Sequence, residues 1–157
     1  FGCGHQAYFL FHIKNRIKIG YGLDYDINDS KEDNLFLIKT RFVNILPFSN
    51  NFFDKIILLA VIEHIDVNSV DNLIKEFYRV LKPYGSVILT TPTPKSKPVL
   101  EFLSGKLKII SKAEIDDHKK YYVQKDLVDI FSLRKFVLKK YSLFQFGLNS
   151  LAVFKKQ

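Results

Sequence analysis

Apolar residues fall along this chain in short runs divided by amphipathic stretches, the alternation expected of a parallel α/β domain. Ala7–Arg16 reads as a first helix, with Ala7, Leu10 and Phe11 at helical spacing. Ile17–Leu23 reads as a strand that ends at Asp24. The polar stretch Asp26–Asn34 carries Asp, Asn and Ser turn chemistry and predicts a loop or a single helical turn. Leu35–Val43 is a second strand. Lys55–Leu59 is a third, a continuous apolar run of the kind buried on both faces.

Asp66–Leu81 gives the clearest helical signal. Val70, Leu73, Ile74, Phe77, Val80 and Leu81 recur at steps of three and four, making one apolar stripe. Asn68 or Ser69 is placed to cap its start, and Pro83 with Gly85 stops it. Ser86–Thr91 is a strand closed by Pro92 and Pro94. Pro98 completes a rigid link into a short helix around Val99–Leu103. Ile109–Gln124 is charged and irregular, Gln124–Phe131 is helical, and Phe136–Phe144 and Ser150–Phe154 are two final strands joined near Gly147.

Composition narrows the setting. A chain of 157 residues, 47% hydrophobic, is large enough for one core without metal or disulfide support. The single cysteine, Cys3, has no internal partner, which suits a reducing compartment. Apolar runs are too short to span a bilayer and no signal peptide is evident, so the expected setting is cytoplasmic. The net charge of +8 comes mainly from dispersed lysines, which reads as solvated surface rather than a nucleic-acid face. There is no methionine, and the chain opens inside a motif that ordinarily follows a complete strand. Both observations predict a fragment whose first strand is missing.

Candidate chemistry begins at Phe1-Gly2-Cys3-Gly4. Bare backbone at Gly2 and Gly4 allows a ligand to approach N–H groups closely, although a plain tight turn explains the same residues. Asp24 lies twenty residues beyond Gly4 at a strand tip, preceded by Gly22-Leu23, where a carboxylate can accept both hydroxyls of a ribose. Tyr25 is placed to pack against an adenine face. Further on stand Asn44-Ile45-Leu46-Pro47-Phe48, then Phe52-Phe53-Asp54, then Val61-Ile62-Glu63-His64-Ile65, and finally Glu76-Phe77-Tyr78-Arg79-Val80-Leu81-Lys82-Pro83-Tyr84-Gly85.

Taken in order, these segments resemble the class I S-adenosylmethionine-dependent methyltransferases, over roughly the first two thirds of the chain. The resemblance implies a Rossmann-like, doubly wound α/β fold with a mostly parallel sheet and an antiparallel C-terminal strand, here a single domain over residues 1–157. It implies S-adenosyl-L-methionine as cofactor and a small molecule as methyl acceptor, with no nucleic-acid partner and no membrane span. Gly2 and Gly4 then lie beside the methionine and ribose parts of the cofactor. Asn44 stands where the family often has an aspartate toward adenine, with backbone at Ile45 or Leu46 as the other contact. Leu59, Ala60 and Val61 line the methionine side, and His64 either touches cofactor or substrate or serves a structural turn. The pattern departs at Gln6, where a third glycine is usual.

The remaining cluster is Asp116-Asp117-His118 with Tyr121 and Tyr122. His118 is the candidate general base, with a pocket wall or ordinary surface as the other readings, and no metal is assigned for want of ligand spacing. Arg79 with Glu76 reads as a structural ion pair, and Phe48 with Phe53 as packing residues. Three rivals stand beside a methyltransferase: a nicotinamide-dependent oxidoreductase, a catalytically inactive remnant of the same fold, and a nucleic-acid-binding module.

Overall fold

The computed structural model describes residues 1–41, 45–105 and 118–157. The chain divides into two compact units, Phe1–Val43 and Asn44–Gln157. In the first unit, helix α1 (Tyr8–Ile13) runs on into a 3-10 turn, Lys14–Arg16, and is followed by strands β1 (Gly20–Asp24), β2 (Ser30–Glu32) and β3 (Leu35–Lys39). The strands lie in the order β1-β3-β2, with β1 parallel to β3 in the register Gly20↔Leu35 to Asp24↔Lys39. A Cβ at Gly22 would stand 2.7 Å from Leu37 Cδ2 and 3.0 Å from Cys3 Sγ, so only glycine lets the opening turn lie this close to β1.

Strand β2 was not visible in the sequence pattern, which predicts a loop there. Ser30, Lys31 and Glu32 are all exposed and carry no apolar alternation. They are held instead by antiparallel pairing with the edge of β3, and Asp29 Oδ1 accepts from the Lys39 N–H at 2.6 Å.

The second unit contains β4 (Phe53–Leu59), a 3-10 turn (Ile62–His64), α2 (Val67–Val80), β5 (Leu81–Pro92), α3 (Ser96–Gly105), α4 (Gln124–Ser132), β6 (Phe136–Phe144), a 3-10 turn (Gln145–Gly147) and β7 (Asn149–Lys156). Strand order is β4-β5-β7-β6. β4 and β5 are parallel, as the α2 crossover requires, while β7 is antiparallel to both β5 and β6. This is the α/β, Rossmann-like pattern implied by the sequence, with its antiparallel final strand.

The stripe expected on α2 is the buried one: Val70, Leu73, Ile74, Phe77 and Val80 are all within the core. The cap differs from expectation. Asp66, not Asn68 or Ser69, accepts from the Asn68 N–H at 2.8 Å, because the acidic residue precedes the first helical position. β5 also begins earlier than Ser86, since fully buried Leu81 pairs with Phe53. On α4, Phe131 stacks on Phe154 at 4.1 Å and meets Phe136 edge-on at 5.6 Å, which fastens the helix to the final hairpin. Burying such a ring stabilises by about 1.5–3 kcal/mol.

Two polar anchors complete this unit. Lys156 is 7% exposed and its Nζ donates to the carbonyls of Tyr78 (2.6 Å) and Leu81 (2.7 Å) and to Asn51 Oδ1 (3.2 Å). Burial lowers its pKa. Arg79 makes the other: Nε and Nη2 donate to the two oxygens of Glu76 at 2.7 and 2.6 Å, Nη1 to Phe48 O at 2.7 Å, and Nη2 to Leu46 O at 3.0 Å. The rings of Phe48, Phe52 and Phe53 pack on one another in the same region. Among the described residues no helix is long and apolar enough to cross a membrane.

Candidate functional site

Two groups of candidate residues emerge, one in each unit. In the first, Gly2 (φ 65°) and Gly4 (φ 70°) adopt left-handed backbone that other residues reach only with strain. The N–H groups of Gly2 and Cys3 donate to Leu23 O at 2.8 and 3.2 Å, which stitches the turn to the end of β1. The Gly4 N–H donates to Asp24 Oδ2 at 2.8 Å, and the Asp26 N–H to Oδ1 at 3.0 Å. The strand-tip carboxylate and the bare turn therefore meet. Each carboxylate oxygen keeps acceptor capacity after one hydrogen bond. A Cβ on Gly4 would face open space, so backbone is presented there without a covering side chain. The N–H groups of Gly2, Cys3 and Gly4 are thus spent within the turn, and what it can offer a hydroxyl-bearing ligand is the remaining acceptor capacity of Asp24 beside uncovered backbone.

Tyr25 is 62% exposed, with the Arg41 guanidinium 5.6 Å from its ring centre. Cys3 is half-buried, and burial raises its thiol pKa, which disfavours a nucleophilic thiolate.

In the second unit, Leu59 ends β4 partly exposed and Ala60 follows at φ 53°, uncommon for a residue with a Cβ. Its N–H donates to Thr90 O at 3.1 Å and to Thr90 Oγ1 at 3.2 Å, so β5 holds the strained corner. Ile45 is exposed. Leu46 is buried, and its N–H donates to Glu76 Oε2 at 2.8 Å while its carbonyl accepts from Arg79. Its backbone is thus already engaged in holding the loop. Asn44, like Asp116 and Asp117, lies outside the described residues.

Beyond the corner the 3-10 turn presents Glu63 and His64. Glu63 is 1% exposed; Thr91 Oγ1 donates to its Oε2 at 3.0 Å, whereas Oε1 has no hydrogen-bond partner among the described residues. Desolvation raises its pKa. The Glu63 carbonyl accepts from the Lys119 N–H at 2.7 Å, which brings His118 to the turn. The His64 and His118 rings lie 4.7 Å apart, and His118 Nδ1 is 3.0 Å from the Tyr121 hydroxyl. Sequence reading singled out both histidines but gave no role to Glu63. The available signal was a carboxylate set between Ile62 and Ile65, at the end of an apolar strand where solvent is scarce.

Comparison with known proteins agrees with this architecture. Residues 1–89 match the family model described as a methyltransferase domain. No curated protein sequence matches the chain. Among solved structures, a chain of the Haloferax volcanii complex between the Trm112 methyltransferase activator and a candidate methyltransferase aligns over 98% of this chain and 79% of its own, at 14% identity and TM-score 0.75. A SAM-dependent methyltransferase from Methanosarcina mazei aligns over 99% and 89%, at 15% identity and TM-score 0.72. An S-adenosylmethionine-dependent methyltransferase from Mesorhizobium loti aligns over 99% and 88%, at 11% identity and TM-score 0.73. At such identities the structural likeness carries the fold, and the family match carries membership. It leaves the nicotinamide-dependent reading without support. With more than half of its length matched, the chain belongs to the methyltransferase domain family, the class I methyltransferases whose cofactor is S-adenosylmethionine.

Proposed function

We propose that this protein transfers a methyl group from S-adenosylmethionine to a small-molecule acceptor in the cytoplasm, acting as a single methyltransferase-like domain. The observation that supports the reading most is the meeting of the Asp24 carboxylate with the open backbone of Gly4 at 2.8 Å. In this reading Asp24 takes the ribose hydroxyls, Gly2 and Gly4 admit the cofactor's amino acid and sugar portions, and Tyr25 lies along the base. In the second unit Asn44 or the exposed Ile45 takes the adenine side, with Leu59, Ala60 and His64 toward the methionine side, while Leu46, its backbone engaged by Glu76 and Arg79, holds the loop. When bound, the cofactor supplies an electrophilic methyl group on a positively charged sulfur. The protein's part is to align acceptor and methyl, exclude water and accept a proton where the acceptor carries one. His118 is the base assigned to that last task, oriented by Tyr121.

Calorimetry with S-adenosylhomocysteine tests the reading. Binding is expected to weaken at least tenfold in Asp24→Ala, about 1.4 kcal/mol. Asp24→Asn, which keeps one acceptor oxygen, is expected to fall between the two. Equal affinity in all three proteins, or no binding at all, would remove the cofactor assignment. A second reading, a remnant that binds without turnover, draws on Gln6 standing where a third glycine is usual. Cofactor binding without methyl transfer to any of a panel of hydroxyl and amine acceptors would favour it.

A further inference from the structure

The environment of Glu63 has features that neither the cofactor reading nor the fold requires. One carboxylate, two imidazoles and their supporting groups come together from three separate stretches of the second unit. Glu63 and His64 arrive on the 3-10 turn after β4, Thr91 from β5, and His118 with Tyr121 from the segment before α4. A ligand atom from each of Glu63, His64 and His118 lies within 4.8 Å of the other two. Donor atoms around one tetrahedral zinc, bound at about 2.1 Å, stand roughly 3.4 Å apart. Small side-chain rotations would close that gap.

A second, independent feature is the orphan Glu63 Oε1. A buried carboxylate oxygen without a donor is destabilising, the more so when charged. Among the described residues no lysine or arginine relieves it, whereas Arg79 does so for Glu76. From these features we infer that Glu63, His64 and His118 form a binding site for a divalent transition-metal ion of the zinc class.

The supporting groups have the form that such sites use. Thr91 Oγ1 fixes Glu63 through Oε2 and leaves Oε1 to the ion. In the site inferred, the Tyr121 hydroxyl, 3.0 Å from His118 Nδ1, would accept from Nδ1–H and leave Nε2 to the ion. The Lys119 N–H bond to the Glu63 carbonyl keeps the two ligand-bearing segments in register. Two histidines and one glutamate are the donor set of catalytic rather than closed structural zinc sites, because they leave a coordination position open. An oxygen ligand, hydroxyl or carboxylate, is the chemistry that would fill it. Identifying that oxygen with the methyl acceptor rests on the methyltransferase reading; the ion site itself does not. A ligated His118 would no longer accept a proton; a bound ion would instead acidify a coordinated hydroxyl, whose proton would pass to solvent water.

Titration of zinc sulfate into the chelator-treated full chain is the test, with cobalt(II) absorption as a spectroscopic check. One ion per chain is expected, with visible cobalt bands of a low-coordinate nitrogen and oxygen site. His64→Ala and His118→Ala are each expected to weaken zinc at least tenfold. Glu63→Gln should do the same while keeping its shape and its bond to Thr91, and His12→Ala on exposed α1 should leave affinity unchanged. Thermal melts of the ion-free variants confirm that each is folded, and zinc should raise the melting temperature of wild type but not of His118→Ala. Zinc affinity retained in both histidine variants, or lost equally in His12→Ala, overturns the site. So does absence of zinc binding, whether or not S-adenosylhomocysteine binds; that second titration separately decides the cofactor reading.

Discussion

Glu76 and Glu63 are both buried carboxylates of the second unit, yet the fold treats them in opposite ways. Glu76 receives two hydrogen bonds from Arg79 and a third from the Leu46 N–H, and this environment, Arg79 first, holds its pKa below the usual glutamate range. Glu63 receives one hydroxyl, keeps an oxygen without a hydrogen-bond partner among the described residues and has its pKa raised by burial. The first is a completed structural joint between α2 and the loop at residues 45–50. The second is an incomplete shell with two imidazoles at its rim. A buried charge whose partners are all protein groups serves the fold, and one left short of partners marks a place where a ligand is owed.

The comparison can be broken most severely at Arg79. Arg79→Ala strands Glu76 and releases the carbonyls of Leu46 and Phe48, so a loss of about 3–5 kcal/mol is expected in urea unfolding. A loss under 1 kcal/mol would show that the joint carries little. Next comes Thr91→Val, which removes the hydroxyl donor from Glu63 with little change of shape. It should cost about 1–3 kcal/mol at neutral pH. That cost should fade as the pH falls and Glu63 takes up its proton, since the hydroxyl stabilises the charged form.

The smallest and most pointed effect has the opposite sign. In the ion-free protein the native state binds the Glu63 proton more tightly than the unfolded chain does. Stability contributed by this group therefore declines as pH rises from the ordinary glutamate value of 4.5 through the raised native value, and the full penalty applies above it. Glu63→Gln should remove that slope and stabilise the ion-free protein at neutral pH. Unfolding curves between pH 4 and pH 8 measure it. Glu76→Gln, by contrast, should destabilise across the neutral range and lose its effect only as acid protonates Glu76 in the wild type.

These two glutamates also show what sequence could and could not convey. The Glu76–Arg79 pair was legible because its partners sit three residues apart on one helix, and helical spacing brings them together. The apolar stripe of α2, the strand ending at Asp24 and the final hairpin were legible for the same reason: local periodicity encodes them. Strand β2 was not, since its three polar residues are ordered by the edge of β3. The Glu63 cluster was not either. His64 and His118 were each noticed, but 54 residues separate them, and the backbone bond from Lys119 to Glu63 that unites them has no sequence signature. The acid itself resembled an ordinary loop residue until burial distinguished it.

Lys156, enclosed by the carbonyls at the end of α2, has a consequence of a practical kind. Its amine is shielded from reagents that acylate the many solvent-facing lysines of this basic chain. In a pulse-labelling experiment followed by mass spectrometry, Lys156 should react only when the final strand detaches from the helix. The extent of its modification would then count global opening events, against an internal background of fast-reacting surface amines.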